Sequence, residues 1–294
     1  MFLDHYGLQE QPFGVTPDPR FLYSSKTHQE ALASLVYGLE ASRGFLTLIA
    51  PPGMGKTTLI FHLLEGLRGI AHTAYLFQAQ CDSREIFRYL LSDLGIDAGD
   101  QNLARMHEQV NEVLLNNARA GKRFILVIDE AQNFEDSLLE TVRLLSGFET
   151  PQSKLMQIVL AGQPQLADKL SRPGLAQLRQ RIAMVSRLQP FTPAETAVYI
   201  HHRLYVAGHR KDSLFTQSAL GLIAVQSGGI PRTINNLCFN ALSLGFARGY
   251  RRIDSTTVRE VLSGLNMGLL GTVKDAGHQF SPIQFSVTES PWEP

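Results

Sequence analysis

Cysteine is nearly absent: Cys81 and Cys238 are far apart and neither belongs to a CxxC pair. That excludes a disulfide framework and a cysteine-rich zinc site, and each reads as a small buried hydrophobe. An excess of one charge sign is absent too, with 27 Lys+Arg against 27 Asp+Glu. A wholly basic nucleic-acid coat and an acidic disordered tail are thereby excluded. No apolar run approaches the ~20 residues of a membrane helix; the longest, such as residues 124–128, are strand-sized. The opening Met1-Phe2-Leu3-Asp4-His5-Tyr6 lacks the basic and apolar regions of a secretory signal. There is no internal repeat and no low-complexity block. What remains is 294 residues, 44% hydrophobic, enough for one large α/β domain and a smaller one. The chain reads as soluble and cytoplasmic, without a membrane span.

Residues 1–26 mix turn formers (Pro12, Gly14, Pro17, Pro19) with scattered aromatics, and predict an ordered arm on a domain surface, neither helix nor strand. A helix over 27–42 follows, with Ala31, Leu32, Leu35 and Leu39 on one stripe. Strands over 45–50, 73–77, 124–128, 155–161 and 182–188 then alternate with helical stretches. These strands are near-continuously apolar, as parallel strands are when crossover helices cover both faces. Residues 27–190 therefore form a parallel, layered αβα core. From Phe191 the periodicity is only helical. Thr192 as N-cap, Pro193 at the first helical position and Glu195 at the third mark the start of an all-helical domain over 191–267. Residues 268–294 lose periodicity and predict a flexible tail.

The strongest chemical signal is Ala50-Pro51-Pro52-Gly53-Met54-Gly55-Lys56-Thr57, between an apolar strand and a helix. Backbone N–H groups there converge on phosphates, and glycine lets the chain approach them closely. Pro52, Gly53, Met54, Gly55, Lys56, Thr57 and Thr58 are the expected ATP-binding residues, with Lys56 on the β- and γ-phosphates and Thr57 on Mg2+. Ala50 stands where the Walker A pattern has glycine, which is acceptable if that position keeps negative φ. The strand 124–128 delivers Asp129 and Glu130 to its C-terminal edge, where parallel sheets bind ligands. Asp129 would hold Mg2+ and Glu130 would polarise the attacking water. Gln163, ending the next strand, could bond the γ-phosphate or that water. Arg179 and Arg181, just before the last strand, are either fingers for a neighbouring subunit or solvated surface arginines. Gly228-Gly229-Ile230-Pro231 sets Arg232 on the first turn of a helix, where a lid could bring it over the γ-phosphate. The histidines show no ligand spacing, so Mg2+ with the nucleotide is the only metal expected. A mild basic excess at His209-Arg210-Lys211 and at 248–252 fits a solvated face better than a phosphate-backbone contact.

Together these residues resemble an AAA+ ATPase of the ExeA/GspA-like group, which serves secretion, pilus and exosortase systems and is distantly similar to TnsC-type transposition regulators. The resemblance spans residues 1 to about 266. It is carried by Tyr6-Gly7-Leu8, Pro12-Phe13, residues 17–23, His28-Gln29-Glu30-Ala31-Leu32, Asp129-Glu130-Ala131-Gln132, Leu160-Ala161-Gly162-Gln163-Pro164, Leu178-Arg179-Gln180-Arg181 and Gly229-Ile230-Pro231-Arg232. It implies that the helical domain is the AAA+ lid and that the arm, with Phe13, lies beside the adenine. It further implies that Gln163 is sensor 1, that Arg179 or Arg181 is the finger, and that Arg232 is sensor 2. Expected partners are further copies of the chain, in an ATP-promoted ring or filament, and a protein of a secretion or export system. The alternative is a DNA-bound ATP-dependent regulator. A small-molecule kinase would need an acceptor site with a general base, which the motifs do not supply.

Overall fold

The computed structural model describes residues 1–77, 82–151 and 153–265. Cys81 and the tail expected over 268–294 lie outside the described residues. After a short helix α1 (Phe2–Tyr6), the core runs α2 (Lys26–Glu40), β1 (Phe45–Ile49), α3 (Lys56–Gly66), β2 (Ala71–Leu76), α4 (Ser83–Asp93), α5 (Leu103–Arg119) and β3 (Arg123–Ile128). It continues with α6 (Asp136–Leu145), β4 (Met156–Gly162), α7 (Pro164–Leu170), α8 (Ala176–Arg181) and β5 (Ile182–Arg187). The helical domain is α9 (Pro193–Val206), α10 (Gln217–Ser227), α11 (Pro231–Ala247) and α12 (Ser255–Gly264).

All strand pairings are parallel, in the order β2-β3-β4-β1-β5. Alternating side chains feed two cores, as the period of two along a strand requires. Phe45, Leu126, Ile128, Ile158 and Leu160 pack under α4, α5 and α6. Leu46, Leu48, Ile125, Val127, Val159 and Ala161 pack under α2 and α3. β1, which leads into the phosphate-type loop, and β3, which ends at Asp129, are separated by β4. Their C-terminal ends are therefore brought to one edge of the sheet. The two edge strands depart from the expected full burial: β2 is only half-buried at Ala71, His72, Thr73 and Tyr75, and in β5 Val185 is 53% exposed. The start of the helical domain follows its sequence signal. Glu195 N donates to Thr192 Oγ1 at 3.2 Å, and Thr192 N donates to the Glu195 carboxylate at 2.9 Å.

The arm differs from its expectation in two respects. Residues 2–6 are helical, ended by Gly7 in the left-handed conformation (φ 64°). And the arm is an integral part of the helical domain: Tyr6, Leu8, Phe13 and Phe21 are buried in one core with Phe215, Ile234 and Leu237. Tyr6 donates to the carbonyl of Leu242 at 2.9 Å, and Gln9 N donates to the carbonyl of Ala207 at 2.8 Å. A five-residue helix is too short for hydrophobic periodicity to mark, so its aromatics carry no visible pattern in the sequence. They are apolar anchors for a distant part of the chain.

Candidate active site

The loop after β1 turns through Gly53 and Gly55, at φ 80° and 83°. Gly53 has a second constraint. A Cβ there would lie 2.8 Å from the Cβ of Arg232, whose own N–H donates to the Gly53 carbonyl at 3.1 Å. The first turn of α11 thus sits directly on the loop. Ala50 is fully buried, and the positive-φ non-glycine residues among those described are only Ser42 and Glu130. The alanine therefore meets no backbone conflict. Met54 turns its side chain into the core, while its carbonyl faces His28.

That histidine is buried between two partners, Met54 O at 3.1 Å from Nε2 and Ser25 Oγ at 2.7 Å from Nδ1. A carbonyl only accepts, so Nε2 carries the proton and Nδ1 accepts from the serine. Burial lowers the His28 pKa, which favours this neutral form. His28 is part of a quoted motif, but its role as a strut under the loop depends on a fold contact that spacing does not show.

Lys56, Thr57, Asp129 and Glu130 converge at the strand ends. Lys56 Nζ pairs with Asp129 and, at 2.8 Å, with Glu130, and only 7% of the lysine is exposed. Thr57 Oγ1 donates to Asp129 Oδ2 at 3.0 Å. The same oxygen accepts from the Tyr75 hydroxyl at 2.7 Å. Burial, and then the hydrogen bond to Asp129, push the Tyr75 phenol far above its ordinary pKa, so it stays a neutral donor. Tyr75 comes from β2 and was not singled out in the sequence; its approach to Asp129 follows from the pairing of β2 with β3, Tyr75 opposite Val127.

Glu130 is held in the left-handed region (φ 52°, ψ 35°), a conformation that costs a non-glycine residue about 1–3 kcal/mol. Its Oε2 accepts from Gln132 Nε2 at 2.6 Å and Gln163 Nε2 at 2.9 Å. Burial raises the Glu130 pKa, but hydrogen bonds from Lys56, Gln132 and Gln163 outweigh it and leave the carboxyl below its ordinary value. Gln163 is thus brought to Glu130, the neighbour of the phosphate-type loop.

A cleft opens above these groups, floored by residues 51–58 and walled by arm residues 14–18 and by Tyr199, Arg203 and Arg232 of the helical domain. Phe13 does not line it. Its ring is 2% exposed and packs edge-on to Phe215 at 6.3 Å, so the arm offers the cleft Gly14 to Asp18 instead. Arg203 was not singled out in the sequence either. It donates to the Pro12 carbonyl, donates to the Tyr199 hydroxyl at 2.9 Å and stacks over Phe21 at 4.6 Å. The structure brings neither Arg179 nor Arg181 to this cleft. Arg179 donates to the Ser171 carbonyl at 3.1 Å, and Arg181 to Ser146 Oγ at 2.5 Å. The donor set fits Mg2+: a carboxylate and a hydroxyl 3.0 Å apart are the hard oxygen ligands that ion takes. Among the described residues no cluster of His, Cys, Asp and Glu suits another metal.

Fold and site together define a P-loop ATPase of the AAA+ class. A family model described as an AAA domain matches residues 39–170, the stretch that holds the phosphate-type loop, Asp129, Glu130 and Gln163. It is 39% identical over 254 residues to General secretion pathway protein A of Aeromonas hydrophila, across 86% of this chain and 46% of that one. An uncharacterized HTH-type transcriptional regulator of Methanocaldococcus jannaschii is 28% identical over 173 residues, across 57% of this chain and 40% of that one. The chain thus spans less than half the length of these curated relatives. Among solved structures, Cdc6p from Pyrobaculum aerophilum superposes with a TM-score of 0.66 at 19% identity, covering 86% of this chain and 70% of that one. The RuvB branch-migration motor of Thermotoga maritima gives 0.56 at 19% identity, covering 84% and 70%. These last two likenesses concern the fold.

Proposed function

We propose that the chain binds ATP with Mg2+ in this cleft, hydrolyses it at an interface between copies of itself, and couples turnover to assembly or remodelling of a secretion or export complex. The observation that carries the chemistry is the convergence of Lys56, Thr57, Asp129 and Glu130 at the end of the sheet. Lys56 exchanges its two carboxylate partners for the β- and γ-phosphates, which frees Glu130 Oε1 to accept a proton from the attacking water. Mg2+, held by Thr57 and Asp129, would neutralise phosphate charge. Arg232, fixed on the loop through Gly53, lines the cleft, and from there it would reach the γ-phosphate. The kinship with General secretion pathway protein A supports the secretion partner. No described helix is long and apolar enough to cross a membrane; a place on the cytoplasmic side, where ATP is supplied, is part of the proposal.

The test separates the roles of lysine and glutamate. Glu130→Gln keeps ATP affinity within a few-fold of wild type and abolishes turnover, whereas Lys56→Ala loses binding. Equal loss of binding in both, by nucleotide titration, overturns the assignment.

A DNA-bound regulator is the second reading. Arg210 stacked on the exposed Tyr205 ring at 3.5 Å, next to Lys211, favours it. Both basic clusters are partly engaged within the chain: Arg210 also donates to the Tyr205 carbonyl, Arg248 pairs with Glu260 at 2.6 Å and Arg251 donates to the His5 carbonyl. Stimulation of ATPase activity by duplex DNA would move the balance to this reading.

A further inference from the structure

Gln132 does not itself line the cleft, yet both ends of its amide are committed to residues that do. Its Oε1 accepts the backbone N–H of Gln163 at 3.0 Å, and its Nε2 donates to Glu130 Oε2 at 2.6 Å. A backbone amide can only donate, so the atom facing Gln163 is the oxygen, and the amide orientation is fixed by the network. Lys169 Nζ donates to the Gln132 carbonyl at 3.0 Å and also to the carbonyl of Phe134. That lysine pins the short turn at 131–133 from the side of α7.

Room for the strut comes from β4. A Cβ on Gly162 would lie 2.6 Å from Gln132 Oε1 and 2.8 Å from Leu166 Cδ2. A side chain there would have to displace Gln132 or Leu166, and the glycine serves space and not backbone conformation, since its φ is not positive. The effect on Glu130 is specific. Gln132 and Gln163 both occupy Oε2, so Oε1 alone is left, and it holds Lys56 in this structure. Once Lys56 turns to phosphate, Oε1 is the free acceptor, already aimed by the bonds on its sister oxygen.

We propose that Gln132 is a positioning residue for hydrolysis: it ties the Gln163 backbone at the end of β4 to Glu130 and aims Oε1 at the attacking water. This rests on the reading that Glu130 polarises that water. It makes the turn after β3 and the end of β4 one mechanical unit, so Glu130 follows Gln163 when nucleotide reaches the cleft.

Gln132→Met keeps the length of the side chain and removes both hydrogen bonds. Its kcat for ATP should fall about ten- to a hundredfold, on the order of the loss of one charge-assisted hydrogen bond that aims Glu130. KM, the Kd of a fluorescent ATP analogue and the melting temperature should stay near wild type. Gln132→Glu retains the acceptor for Gln163 but sets a carboxylate against Glu130, so its kcat should fall at least as far, again with Kd unchanged. If the methionine variant does not fold, the nearly isosteric glutamate variant carries the test. Wild-type kcat in either folded variant overturns the proposal, as does a Kd that rises by the same factor as kcat falls, which marks a merely structural residue. Glu130→Gln in parallel separates the two failures. A dead Glu130→Gln with a fully active Gln132→Met sinks only the role of Gln132, while an active Glu130→Gln sinks the reading beneath it.

Discussion

Asp129 accepts from Lys56, Thr57, Tyr75 and the Glu130 N–H, and so is held rigidly although only 1% of it is exposed. Three of these donors come from its own or the adjoining motif; Tyr75 comes from β2. Tyr75→Phe removes one donor and leaves no unsatisfied polar atom behind. The carboxylate then loses its fixed orientation toward Thr57. The expected outcome is a several-fold rise in the Mg2+ concentration needed for half-maximal ATPase activity, with the affinity for nucleotide little changed. A Mg2+ titration indistinguishable from wild type would show that the phenol is only a packing group. At this scale the legible part of the site is contiguous: Lys56 with Thr57, and Asp129 with Glu130, each announced by the strand before it. Tyr75, His28, Arg203 and the strut role of Gln132 depend on strand register or on contacts between distant segments, and no local spacing encodes those.

Among elements, the strands and helices lie within a few residues of their expected bounds because burial on both sheet faces and capping residues are local signals. Thr192, Pro193 and Glu195 begin α9 through their own hydrogen bonds, whatever the rest of the chain does. The arm is the exception. Its aromatics are spaced by turns, and their partners are some two hundred residues away in sequence. The consequence falls on Phe13, which the family resemblance sets beside the adenine and the structure buries beside Phe215. The two placements predict different variants. In the helical-domain core, Phe13→Ala leaves a cavity and costs about 3–5 kcal/mol of stability, seen as a lower urea midpoint or melting temperature. Nucleotide Kd, measured at a temperature where the variant is folded, should change little. A base-stacking residue would do the reverse, weakening nucleotide binding at unchanged stability, and that result would return Phe13 to the cleft.

For the whole molecule, the cleft and the arginine pair present different faces of one chain. Arg179 and Arg181 end α8, are exposed and bond only to Ser171, Ser146 and Arg143 among the described partners. The edge strand β5 that follows leaves Val185 half exposed. A heterologous contact would set this face of one copy against the cleft of the next and can repeat into a ring or filament. If so, Arg181→Ala (or Arg179→Ala) binds ATP normally yet turns over slowly, because a finger in trans is worth about 10³–10⁵ in rate in other phosphoryl-transfer systems. Lys56→Ala has the opposite defect, an intact finger beside a site that cannot hold phosphate. Mixing the two inactive proteins should restore activity, since one arrangement of neighbours sets an intact arginine against a competent loop. Recovery is bounded by the fraction of such neighbours, and it should grow with total protein concentration as assembly proceeds. A slow arginine variant that no mixture rescues would assign the guanidinium to its own chain, where the bond from Arg181 to Ser146 already holds it against the C-terminal end of α6. Wild-type turnover in both single variants would make them plain surface arginines, and the interface would then have to be sought on another face.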